Sequence, residues 1–213
     1  MAVEMSGIAR ALVELDEEEV SRLVDDALAE GVPASEILDG GLMAGMDIVG
    51  EHMSRDAMFI PEVLRAAKIM RASVERLSPL LTNHEASTRG TVLIGTVQGD
   101  CHDIGKNLVV MMMESSGFRV IDLGVDVSNS SFVDAIKKID PDILGLSALL
   151  TSTAETMRET IAFIAEKGLR EQLKILVGGA SITGAFAEDI GADGYAPDAA
   201  SAVVMAKRLL EST

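Results

Sequence analysis

The chain has 213 residues, 34 of them acidic against 18 basic, with a formal net charge of −16 at neutral pH. That length suits one large domain or two small ones, either able to bury roughly 70% of the surface its unfolded chain exposes, so disulfides are unnecessary. The acidic balance argues against nucleic-acid binding, which needs clustered Lys and Arg. One cysteine excludes a disulfide within the chain and suits a reducing cytosol. No apolar run reaches the roughly 18–20 residues that span a bilayer, and residues 1–10 lack a signal-peptide pattern. A cytoplasmic location is expected, with no membrane partner.

Residues 1–82 read as an all-helical domain. Leu12 and Leu15 close a first amphipathic segment, and in Asp16-Glu17-Glu18-Glu19 a capping acid stands three residues before a glutamate. Val20, Leu23, Val24, Ala27 and Leu28 follow as an inner stripe that Gly31 stops. Pro33 sits in the first turn of a third helix, ahead of Ile37, Leu42, Met46 and Val49. Pro61 starts a fourth, with Val63, Leu64, Ala67 and Met70 facing inward. Four helices with short connections predict a bundle. Its methionines (Met43, Met46, Met53, Met58 and Met70) read as gap-filling core, and His52, among polar neighbours, as solvated. Residues 83–90 are polar and without period, which predicts a linker in which His84 is solvated.

Residues 91–213 alternate apolar runs with helical patterns. A strand over 91–97 leads to a helix over 104–116 with Ile104, Leu108, Val109 and Met112 as its inner stripe and Gly117 as its stop. Strand 118–123 runs through Gly124-Val125-Asp126-Val127 to a helix near 131–139. Pro141 precedes strand 143–146 and a helix over 153–166 that ends at Gly168. Strand 174–177 leads to Gly178-Gly179 and a short helix over 185–190; a brief strand, Gly194-Tyr195, precedes a last helix over 198–210. Five such units predict a flavodoxin-like (Rossmann-type) α/β domain with a five-stranded parallel sheet, right-handed crossovers and strand order 2-1-3-4-5. In that order strands one and three are neighbours, so Asp100-Cys101-His102 and Ser147-Ala148-Leu149 share one crevice, with Gly178-Gly179 beside it.

The turn Gly99-Asp100-Cys101-His102-Asp103-Ile104-Gly105-Lys106-Asn107 ends the first strand and opens a helix, the place where open α/β sheets bind ligands. A phosphate is excluded. Five residues separate Gly99 from Gly105 and Asn107 follows the lysine, which is not the Walker spacing, and Asp100 and Asp103 would repel an anion. A zinc site needs more ligands than one histidine and one cysteine can supply. A metal that arrives in a macrocycle needs only His102, with Asp100 placed to accept its Nδ1 proton and leave Nε2 facing outward. The remaining reading is a satisfied turn histidine.

Asp-x-His-x-x-Gly at 100–105 is followed, after 41 residues, by Ser-x-Leu at 147–149 and, after 28 more, by Gly178-Gly179. Together these are similar to the signature of the cobalamin-binding domain of B12-dependent methyltransferases, as in small corrinoid proteins and the cobalamin module of methionine synthase. Gly45-Met46-Asp47-Ile48-Val49-Gly50-Glu51 and Phe59-Ile60-Pro61-Glu62-Val63 resemble that family's helical cap. The resemblance implies a corrinoid protein that carries a methyl group on cobalt, methylcobalamin being the loaded state, with no catalysis of its own. It implies cobalamin or a related corrinoid bound with His102 as lower axial ligand in place of the cofactor's own base. Asp100 and Thr153 would complete the ligand relay within a cofactor-facing turn of Asp100, Cys101, His102, Asp103, Ile104 and Gly105. The side chain of Cys101, where the family has an aliphatic, reads as inert packing. Ser147, Leu149, Thr151, Gly178, Gly179, Ala180, Tyr195 and Ala199 would line the slot for the nucleotide tail, the glycines by leaving room. Met53 and Ile60 fall on capping positions where the family has an aromatic and a leucine, and Asp39 on an acid that faces the cofactor. The implied partners are a substrate-specific methyltransferase, a second methyltransferase using tetrahydrofolate or a thiol such as coenzyme M, and a reductive activase. A mutase subunit or a cobalamin-dependent sensor shares the histidine domain. The mutase normally lacks the cap, and the sensor needs a DNA-binding segment for which there is no spare basic region. A cofactor-free receiver-like domain accounts for the strands but not for three spaced motifs.

Overall fold

The computed structural model describes residues 4–81 and 88–211. Most of the segment expected as a linker, including His84, lies outside the described residues. Two compact units result, one of the residues up to Thr88 with Ser115–Gly117, the other of Arg89–Glu114 and the residues from Phe118 onward.

The first unit holds α1 (Met5–Val13), α2 (Glu17–Ala29), α3 (Ala34–Glu36), α4 (Ala44–Ser54) and α5 (Ile60–Leu77). Asp16 caps α2 by accepting the Glu19 N–H at 3.0 Å, as its spacing predicts. Pro33 precedes its helix instead of lying in the first turn: it is the N-cap of α3. Between α3 and α4 the backbone winds as a π-helix over Ile37–Met43, which no periodicity announces. That segment and α4 lie tightly on α1. A Cβ on Gly45 would stand 2.8 Å from Leu12 Cδ2 and 3.0 Å from the Ala9 carbonyl, so glycine lets the two backbones meet. Ile8, Leu12, Val24, Ile37, Leu42, Met46, Val63 and Met70 are buried, as are Met43 and Met58. Leu64, expected inside, is 41% exposed, whereas Val63, Ala67 and Met70 are buried as expected, joined by Ala66, Ile69, Ser73 and Leu77 on the same face of α5.

The second unit is a five-stranded all-parallel sheet in the order β2-β1-β3-β4-β5, as predicted. Its elements are β1 (Thr91–Thr96), α6 (Ile104–Ser115), β2 (Arg119–Asp122), α7 (Asn129–Ile139), β3 (Ile143–Ser147), α8 (Thr151–Glu166), β4 (Lys174–Gly178), α9 (Gly184–Asp189), β5 (Gly194–Ala196) and α10 (Ala199–Glu211). Strands buried on both faces read as continuous apolar runs, and Leu93, Leu144 and Ile175 form the buried centre with Phe132, Met157 and Ile164 from the helices. Ile104, expected in the inner stripe of α6, is 87% exposed: it is the first residue of the helix, standing off the sheet edge, whereas Leu108 and Val109 are half-buried and the fully buried apolar residues are Met112 and Met113. Among the described residues no helix is long and apolar enough to cross a membrane.

Candidate functional site

Sheet register assembles the site. Thr96 pairs with Ser147, and Ser147 with Gly178, so the last residues of β1, β3 and β4 stand in one row. The three motifs therefore leave the sheet side by side at its carboxyl edge.

Asp100 lies at the centre of the site, and its side chain is fully buried. One carboxylate oxygen, Oδ1, accepts from the backbone N–H of His102 at 3.0 Å and from the His102 ring Nδ1 at 2.7 Å. A carboxylate can only accept, so Nδ1 carries a proton, and in the neutral imidazole the lone pair is then on Nε2, uncommitted. The other oxygen, Oδ2, accepts from the backbone N–H groups of Leu149 (2.8 Å) and Leu150 (3.4 Å) and from Thr153 Oγ1 (2.7 Å). Leu150 is the N-cap of α8 and brings no capping side chain. Asp100 thus binds the two amides that lead into α8 and the Thr153 hydroxyl of its first turn, an anion beside the positive end of the helix. The Thr153 hydroxyl also lies 3.0 Å from the Leu150 carbonyl, but its single proton goes to the shorter, charged acceptor. Burial would raise the Asp100 pKa, but donation by Thr153, the amides of His102 and Leu149, and the imidazole outweighs it and holds the carboxyl well below the ordinary carboxylate range.

The His102 side chain is 53% exposed despite this tether, so the uncommitted nitrogen is free to meet a ligand. Around it Ile104, Leu149 and Leu150 expose apolar side chains. Cys101, expected to pack inertly, is exposed. Asp103 and Gly105 are exposed too; Asp103 accepts from Asn107 Nδ2 at 3.1 Å. Ser147 is half-buried, its carbonyl accepting from Val97 N, and Thr151 is exposed as the first residue of α8. On the β4 side Gly178 and Gly179 are half-buried and Ala180 exposed. A Cβ on Gly179 would fall 1.8 Å from the Ala148 carbonyl oxygen, so the missing side chain is demanded by the neighbouring backbone as well as by any ligand. Tyr195 is half-buried in β5, whereas Ala199, expected to line the slot, is buried at the start of α10. In the helical unit Asp39 is exposed on the π-helix, Met53 is half-buried near the end of α4, and Ile60 is exposed at the start of α5.

Thr96 is absent from the residues that the sequence singles out. Buried at the end of an apolar run, it donates from Oγ1 to the His102 carbonyl at 3.0 Å; a hydroxyl among apolar residues is its only signal. Thr153→Val is expected to cost roughly 1.5–3 kcal/mol, the worth of a hydrogen bond to a charged group, with Thr153→Ser recovering most of it. Urea titration of the two variants against wild type reads the difference.

Two family models match, each described as a B12 binding domain, one over residues 90–204 and the other over residues 5–78. Dimethylamine corrinoid protein 1 of Methanosarcina acetivorans is 44% identical over 204 residues, 95% of either chain. Trimethylamine corrinoid protein 2 of Methanosarcina mazei is 40% identical, covering 94% of this chain and 93% of its own. Among solved structures, a cobalamin-binding protein from Desulfitobacterium hafniense is similar at a TM-score of 0.85 and 35% identity, covering 98% of this chain and 99% of its own. The methanol:cobalamin methyltransferase complex of Methanosarcina barkeri has a chain similar at a TM-score of 0.83 and 29% identity, covering 98% and 80%.

Proposed function

The chain belongs to the cobalamin-binding corrinoid proteins of methyltransferase systems, and from that membership we propose that it carries methyl groups with His102 as the axial ligand of its cobalt. The observation that supports the ligand is the tethered imidazole: Nδ1 bound to a buried carboxylate, Nε2 uncommitted, and half the side chain open at the sheet edge. One nitrogen donor suits a metal whose equatorial ligands come with its ring, and the apolar surface of Ile104, Leu149 and Leu150 suits a macrocycle. When bound, the corrinoid supplies the cobalt chemistry of methyl transfer.

The chain's own residues do the rest. Asp100 orients the ring, holds its proton on Nδ1 and makes the other nitrogen a better donor; Thr153 and the Leu149 and Leu150 amides keep Asp100 ionised and in place. Asp103, Gly105, Ser147, Thr151, Gly178, Gly179, Ala180 and Tyr195 share or adjoin that edge and are proposed to border the cofactor, with Asp39, Met53 and Ile60 assigned to cofactor contacts on the resemblance alone. The partners are a substrate methyltransferase and a second methyltransferase using tetrahydrofolate or a thiol such as coenzyme M, with a reductive activase. The names of the relatives favour a methylated amine as donor class. One cysteine among 213 residues suits the cytoplasm.

The test is the EPR spectrum of the Co(II) form in protein labelled with nitrogen-15 at histidine. A three-line nitrogen splitting that becomes two-line on labelling, and disappears in His102→Ala, is the expected result. A splitting indifferent to the label, or retained in His102→Ala, overturns the ligand assignment. Identifying the alkyl group carried by the isolated protein, methyl or adenosyl, separates a carrier from a mutase subunit.

A further inference from the structure

Asp100 and Thr153 hold the imidazole from the β3 side, but the backbone that carries it is held from the opposite side by residues outside every motif. Asp126, in the β2–α7 loop, has φ +52°, a left-handed conformation that a residue with a Cβ rarely adopts. From there its Oδ1 accepts the Gly99 N–H at 2.7 Å while its own N–H donates to the Asp100 carbonyl at 2.9 Å. One residue thus grips the turn on both sides of the Gly99–Asp100 step.

Lys106 adds a second grip. It lies in the first turn of α6, where a cation opposes the helix dipole, and its side chain is 1% exposed. A buried ammonium survives only when paired. Its Nζ donates to Asp122 Oδ2 at 2.5 Å and to Asn107 Oδ1 at 2.8 Å, and Asn107 Nδ2 reaches Asp103. Asp122, the last residue of β2, accepts the Gly124 N–H on its other oxygen, and the Gly124 carbonyl accepts from Thr96 N. Thr96 then holds the His102 carbonyl through Oγ1. These bonds form a chain of contacts from Asp103 to the His102 carbonyl that passes outside the turn itself.

We propose that Lys106, Asp122 and Asp126 are positioning residues for His102, fastening the backbone of its turn from β2 so that the imidazole stands at the height cobalt requires. The proposal rests on the reading of His102 as the axial ligand. An ion pair in place of apolar packing fits this role, because charge-assisted hydrogen bonds fix direction where apolar contacts do not.

The experiment uses Lys106→Met, Asp126→Ala and the conservative Asp126→Asn in the full chain. Asp122 is one-third exposed in its side chain, so it turns to water when Lys106 is removed and the fold is expected to persist, as circular dichroism will show. Two readouts are taken: amide hydrogen exchange over residues 99–104 of the cofactor-free protein, and the histidine nitrogen splitting of the Co(II) form after loading with cobalamin. Lys106→Met and Asp126→Ala are expected to speed exchange in the turn at least tenfold and to leave a substantial part of the Co(II) signal without splitting. Asp126→Asn, which keeps an oxygen for Gly99, restores both. Unchanged exchange, or faster exchange with full splitting, overturns the proposal. A wild type without splitting overturns the ligand reading and this proposal together, which is distinct from failure of the clamp alone, where wild type and variants split alike.

Discussion

Gly179→Ala is expected to destabilise the α/β unit by about 4 kcal/mol or more, among the largest losses a single added methyl can cause here. The new Cβ would lie 1.8 Å from the Ala148 carbonyl oxygen and 2.8 Å from its carbon, and φ at this position is +134°. Backbone cannot swing aside as a side chain can, so β3 and β4 must separate at the level where Ser147 pairs with Gly178. The loss reaches the site as well, because Leu149, next to Ala148, carries an N–H held by Asp100. A melting temperature lower by roughly 10–20 °C is the expected reading. Gly50→Ala is the reference: it lies in α4 with nothing within 4 Å of the added Cβ, and is expected to be neutral or stabilising by up to about 1 kcal/mol. Equal melting shifts for the two variants would contradict the account.

Asp100→Asn is expected to cost roughly 3 kcal/mol while nearly preserving shape. Five donors converge on this carboxylate. An amide offers one oxygen and one NH₂, so either the His102 pair or the Leu149 and Leu150 amides and Thr153 face a donor with their own donors. Acid sharpens the test. The folded carboxyl has its pKa below the ordinary value of 3.8, so at falling pH the unfolded chain takes up the proton first. The stability this group contributes is therefore complete above about pH 5, begins to be lost near pH 4 and declines further toward the folded pKa. Denaturant titrations between about pH 2.5 and 6 are expected to show the gap between wild type and Asp100→Asn narrowing as pH falls. A gap independent of pH would mean that the folded carboxyl is not held low.

Legibility in the sequence differs from element to element. The succession of strands and helices, and with it a parallel sheet, follows from apolar runs alternating with helical stripes, because each strand and helix declares its period within a few residues. The Asp100–His102 bond is legible for the same reason: two residues apart on a tight turn, an acid and an imidazole have little choice. Ile104 is misplaced because it continues an apolar pattern at a helix end, where the pattern does not say that the neighbouring layer has stopped; Leu64 is misplaced because it adjoins the buried Val63 and Ala67 in sequence but falls off their face of the helix. The π-helix over Ile37–Met43 has no signal, since it shifts the hydrogen bonding without altering which residues are apolar.

Local periodicity and turn chemistry thus determined by themselves a helical first part, the alternation of strands and helices after it, and the strand ends at which the three motifs stand. Only the tertiary structure decided that Asp100 binds the amides leading into a helix that starts 51 residues later, that Gly179 is required by the Ala148 carbonyl, and that Asp126 and Lys106 hold the histidine turn from behind. The physical reason is range. A period is written into adjacent residues, whereas a hydrogen bond or a steric contact between distant segments exists only once the sheet has brought their backbones within a few ångströms of each other.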